Sequence, residues 1–136
     1  MAHYKTRLHI HPHEAFQPCL IISNDSDELH AFLRQDQVGD WRVKVVIIEK
    51  GRLSPVTEVG IGDSLAELEQ ALPSGKIMVE HSEVNDPVIF RARLEGHTVD
   101  FVVEWEEEFR RQGGSWNTFD PKKVPKSATI LSILWH

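Results

Sequence analysis

The sequence predicts an α+β domain: a mostly antiparallel sheet of five or six strands with two helices packed on one face. Three observations carry this expectation. Two apolar runs, residues 87–94 and 97–105, flank the dipeptide Glu95-Gly96 as the arms of a hairpin would. Two capping signals, at Asp25 and Ser64, each precede leucines at helical spacing. The remaining apolar runs are short and rich in β-branched residues, and none approaches the length of a membrane span.

In chain order, residues 4–11 alternate and read as a first strand that Pro12 ends. Cys19-Leu20-Ile21-Ile22 reads as a short buried strand. Asp25 with Glu28 then fits a helix start, and Leu29, Phe32 and Leu33 supply an i, i+3, i+4 face, so a helix is expected up to Val38-Gly39-Asp40. Trp41 to Lys50 has the strongest β-propensity and suits a central strand covered on both faces. A loop or short edge strand is expected around Val56 to Val59. Ser64 with Glu67 marks a second helix, with Leu65, Leu68 and Leu72 inward, stopped by Pro73-Ser74-Gly75. Lys76 to Glu80 is strand-like.

The hairpin allows a register to be written. Opposing Leu94 to His97 places Ala92, Phe90 and Val88 across from Val99, Phe101 and Val103 on one face. On the other, Arg91 meets Asp100 and Arg93 meets Thr98, with Ile89 beside Val102. Residues 115–126 read as an ordered loop and Ala128 to Trp135 as a last strand. That strand leaves a homodimer open if it lies at an edge. The length of 136 residues suits a single domain spanning 1–136.

The net charge of −6 is unevenly spread. Residues 1–57 carry seven acids and seven bases. Residues 58–108 carry thirteen acids against Lys76, Arg91 and Arg93. Residues 109–136 carry Asp120 against Arg110, Arg111, Lys122, Lys123 and Lys126. Such a field disfavours nucleic acid, whose binding needs lysine and arginine at phosphates, and favours a cationic partner. The bland alternatives are a solubilising surface, or a basic tail that folds back to neutralise the middle.

The expected function is therefore that of a small acidic, non-catalytic protein recognising a basic protein partner by charge complementarity and occlusion, as immunity or inhibitor proteins do. The expected contact residues are Asp63, Glu83, Asp86, Glu104, Glu106, Glu107, Glu108 and Trp116, the last as an aromatic anchor in a Gly-Gly-Ser-Trp-Asn loop. No cofactor is called for. One cysteine forms no internal disulfide, and residues 1–7 lead into no apolar signal segment, so a soluble cytoplasmic protein without membrane contact is expected.

Two other classes remain open. His9 and His11 share a strand face and can reach one divalent metal if Glu14, Cys19, His81 or His97 adds a third ligand, whereas alternating histidines also suit a plain edge strand. A sheet whose tryptophans line a small-molecule pocket is the other. Cys19 reads as a buried, inert thiol. Gly60-Ile61-Gly62-Asp63-Ser64 lacks the spacing and the lysine of a phosphate loop and reads as a helix entry turn.

Overall fold

Glu95 and Gly96 adopt positive φ, 49° and 83°, the backbone that lets a two-residue turn join twisted antiparallel strands. Around this turn stand β6 (Val88–Leu94) and β7 (His97–Val103), paired in the register written from the sequence, from Leu94↔His97 to Val88↔Val103. The protein, described here from a computed structural model, is defined over residues 4–10, 18–56, 58–80, 87–104 and 119–136.

These strands belong to one eight-stranded antiparallel sheet, whose order is β1-β2-β3-β4-β8-β7-β6-β5. The remaining members are β1 (Lys5–Ile10), β2 (Pro18–Ser23), β3 (Glu28–Gln35), β4 (Trp41–Lys50), β5 (Lys76–Val79) and β8 (Ile130–Trp135). The fold is thus two four-stranded meanders joined where β4 meets β8. The last strand is interior, so it offers no edge for dimerisation.

The expectation of five or six strands and two helices is corrected by this architecture. Among the described residues there is one α-helix, α1 (Leu65–Ala71), with a 3-10 turn at Pro121–Lys123, and the molecule is nearly all β. The expected first helix is β3. Asn24 does not lead into a helix: its Oδ1 accepts the N–H groups of Ser26 and Asp27 at 2.9 and 2.7 Å, closing a tight turn. The chain returns antiparallel to β2, and Leu29 and Ala31 take one face while His30 and Phe32 take the other. Apolar residues at i, i+3 and i+4 mimic one helix face, yet on this strand they divide between the two faces of the sheet, Leu29 on one and Phe32 on the other. The described residues around Val56 to Val59 form a loop, the first of the two options, in which Val56 N–H donates to Ser54 Oγ at 3.1 Å and Val59 N–H to Val56 C=O at 3.4 Å.

The helix starts as its sequence predicts. Ser64 is the N-cap, its Oγ accepting the Glu67 N–H at 3.2 Å, and Leu65 and Leu68 are buried. Together with Val59, Leu72 and Val124 they cover one face of the sheet, against Val88, Phe90, Val99, Phe101, Ile130 and Ile133. Phe90 and Phe101 meet edge to face with centroids 6.3 Å apart.

The register defines the second face. One continuous row runs Arg7, Ile21, His30, Ile47, Leu134, Asp100, Arg91, Lys76 from β1 to β5. Ile21 and Asp100 in that row, and Cys19 and Ile89 beside it, are buried. β4 is interior in strand order but is not covered throughout. Only Val46 to Ile48 pair with β8, so Trp41 to Lys44 project beyond it and stand exposed.

Candidate partner-binding surfaces

Of the eight expected contact residues, Glu83, Asp86, Glu106, Glu107, Glu108 and Trp116 lie outside the described residues, and Asp63 and Glu104 lie within them. These two flank the same short segment. Asp63 C=O accepts the Ile130 N–H at 2.9 Å, while Glu104 N–H donates to Thr129 C=O at 2.9 Å. Their backbones therefore stand about two strand spacings, roughly 10 Å, apart.

Their charges differ in availability. Asp63 faces Arg52, which donates through Nη1 and Nη2 at 3.0 and 2.8 Å, and it also accepts the Gly60 N–H at 2.9 Å. The Arg52 guanidinium, then the Gly60 amide, hold this carboxyl below the usual range. Glu104 is exposed and, among the described residues, accepts from the Thr129 hydroxyl at 3.0 Å. A group with a lowered folded pKa stabilises above its unfolded value and loses that contribution as pH falls through the folded one. Asp63→Asn is accordingly expected to lower the melting temperature at pH 7. The gap to the native chain should close as pH is taken below about 4. A gap that persists unchanged at acid pH in a melting series would show that the Arg52 pair is not its origin.

Of the eight described acids of this stretch, four lie against a cation. Beyond Asp63, Glu69 takes the Lys126 ammonium at 2.6 Å, Glu80 lies 3.8 Å from Arg91, and Asp100 binds Arg91 at 2.7 Å. Lys126 belongs to the basic tail, so part of that tail does fold back. Glu58 and Glu67 make no ion pair among the described residues. With Gln70 they line an open groove of about 220 Å³ beside α1.

A second surface lies at the end of the β3–β4 hairpin. Asp36 organises its loop: Oδ1 accepts the N–H groups of Val38 and Asp40, and Oδ2 accepts Arg42 Nε at 2.8 Å. Its own N–H donates to Asp40 C=O, its C=O accepts the Gly39 N–H, and Gln35 Nε2 binds Gly39 C=O. Arg42 above all holds the Asp36 carboxyl below its ordinary pKa. The loop so fixed presents Val38 at 81% exposure, with Trp41 and Val43 each at 57%. Arg34, Arg42 and Lys44 surround an adjoining groove of about 320 Å³. This surface is hidden in the sequence because the i, i+3, i+4 spacing before it makes Val38-Gly39-Asp40 resemble the end of a helix. Its signal was an apolar residue set between two turn-forming aspartates, immediately ahead of a tryptophan.

The metal reading gains no geometry. Among the described residues no three His, Cys, Asp or Glu side chains gather closely enough to hold an ion. His9 stands opposite Cys19 in the β1–β2 register, and His11 lies outside the described residues. Among the described residues no helix is long and apolar enough to cross a membrane.

Fold and surfaces together define an antiparallel β-sheet domain with one helix-covered face and a braced hairpin end that exposes apolar side chains. In comparison with known proteins, the chain matches no family model, no curated protein and no solved structure.

Proposed function

We propose that this chain is a non-catalytic binding domain that recognises a protein partner, with the end of the β3–β4 hairpin as its anchor. The observation that carries the reading is the exposure of Val38, Trp41 and Val43 on a loop braced by Asp36. Water contact on that much apolar surface is unfavourable, and its burial against a partner supplies the driving force. Tryptophan is the residue most enriched among binding hot spots, and a loop already held by hydrogen bonds loses little entropy on docking.

A second reading keeps the basic partner expected from the charge. It rests on Glu58 and Glu67, which line the groove beside α1 without an ion pair of their own among the described residues, and which a lysine or arginine of the partner would enter.

The test compares capture from the native cell, read by mass spectrometry, followed by kinetics on the captured partner. Trp41→Ala is expected to leave the melting temperature nearly unchanged, since the side chain is mostly exposed. It should weaken binding by at least about thirtyfold, the size of a hot-spot loss of roughly 2 kcal/mol, chiefly by faster dissociation. Glu58→Gln with Glu67→Gln instead should slow association and flatten its salt dependence if the acidic groove makes the contact. Binding untouched by Trp41→Ala overturns the hairpin anchor, and binding indifferent to salt and to the glutamate pair overturns the second reading.

A further inference from the structure

The thirteen-acid stretch of residues 58–108 contains only three cations, and the sheet register brings all three together. Lys76 on β5 stands directly opposite Arg91 on β6, and Arg93 lies two residues along the same face, opposite Thr98. Like charges placed opposite each other in a sheet oppose folding. The arrangement is only half relieved. Asp100, itself buried, takes Arg91 through Nε and Nη2 at 2.7 and 2.9 Å, and Glu80 lies 3.8 Å from the same guanidinium. Lys76 and Arg93 make no ion pair among the described residues.

Between these side chains runs an open groove of about 320 Å³, lined by Ser74, Lys76, Met78, Arg91, Arg93 and Thr98. Among the described residues, its polar side chains are three cationic donors and two hydroxyls, and no carboxylate lines it. Met78, with Ala92, supplies the apolar part of the lining. We infer that this groove on the second face of the sheet binds a small phosphate monoester, with the phosphoryl oxygens among Lys76, Arg93 and the hydroxyls of Ser74 and Thr98 and the organic part against Met78. A dianion suits the site better than a single carboxylate because two cations there lack a counter-charge. Asp100 acts as a positioning group: it occupies two donors of Arg91 and fixes the direction of the third nitrogen. The site is separate from the hairpin end and does not depend on the function proposed above.

The test uses the full chain and records amide chemical shifts during titration with methyl phosphate, inorganic phosphate and a phosphoserine tripeptide, with sodium chloride holding ionic strength constant. Methyl phosphate is expected to give saturable shifts confined to residues 74–78, 91–93 and 98. Lys76→Gln and Arg93→Gln, both at exposed positions, should each raise Kd at least about fivefold while leaving the melting temperature in place. Arg93→Lys should retain part of the affinity. Methyl phosphate binding at least as tightly as the tripeptide supports the small ester. Tighter binding of the tripeptide overturns it in favour of a phosphorylated polypeptide. Shifts that do not saturate, that sodium chloride alone reproduces, or that survive both glutamine substitutions also overturn the site.

Discussion

Replacing Arg91 by methionine is expected to destabilise the protein by about 3 kcal/mol, because it leaves Asp100 buried without its cation. The Asp100 side chain is 2% exposed, and its two oxygens accept from Arg91 Nε and Nη2. Arg91 itself is 37% exposed, which places the loss at the lower end of the range for broken buried pairs. His136 Nε2, 3.4 Å from Asp100, is the other group positioned to answer that charge. Asp100→Asn should cost less, about 1–2 kcal/mol, since an amide still accepts a hydrogen bond. Combining Arg91→Met with Asp100→Leu should recover more than half of the single-variant loss, since two apolar side chains leave no charge stranded, and Leu134 and Ile47 continue the same row. Urea melts of the three variants check this. A methionine variant within about 1 kcal/mol of the native chain would mean that the pair does not hold the β6–β7 hairpin in its charged form.

Gly51→Ala is the second large loss, again about 3 kcal/mol, and its origin is steric. Gly51 follows β4 with a φ of 95°, a conformation that side-chain-bearing residues rarely adopt. A methyl group there would meet the backbone of the β2–β3 turn, at 2.7 Å from the Ser26 oxygen and 2.9 Å from the Asp27 Cα. That turn is tied to the same loop, since Asp27 Oδ1 accepts the Arg52 N–H at 3.2 Å. Relief therefore requires two hairpins to separate. Gly39→Ala is the control. Its φ of 91° is similar, but the nearest atom to a new methyl is Gln35 Nε2 at 3.6 Å. It should cost only about 1 kcal/mol, the backbone term alone. Equal losses in the two variants, measured by denaturant unfolding, would show that the clash at Gly51 is absorbed.

How far these features were legible depended on their distance along the chain. The β6–β7 hairpin was written residue by residue because its turn and both arms occupy one uninterrupted stretch, and a slip of one residue would expose Phe90 and Phe101. The helix start at Ser64 was legible for the same reason, since the cap and its partner Glu67 are three residues apart. The stretch 28–35 reads as a helix because Leu29, Phe32 and Leu33 keep helical spacing, although on the strand Leu29 and Phe32 fall on opposite faces. What decided it was β2 on one side and β4 on the other, together with a turn built by Asn24. The spatial distribution of the acidic field is not legible in the chain. Summed along the chain it is strongly negative, but Glu69 meets Lys126 across 57 positions, a pairing that no local pattern encodes. Asp63 met Arg52 from only 11 positions away, yet nothing in the spacing distinguishes that partner from Lys50.

The residues alone determined the start of one helix and the register of one hairpin, because those choices are settled by neighbouring dihedrals and adjacent side chains. The tertiary structure decided that β8 inserts between β4 and β7, and the layout of exposed and buried rows on the sheet follows from that insertion. It leaves the start of β4 uncovered, so Trp41 and Val43 face water. It also completes the row that holds Asp100 against Leu134 and Arg91. The physical reason is that strand pairing between distant segments is chosen by the collective burial of Ile48, Ile133 and Phe101 in one layer, a sum over the whole sheet to which each segment contributes only its pattern.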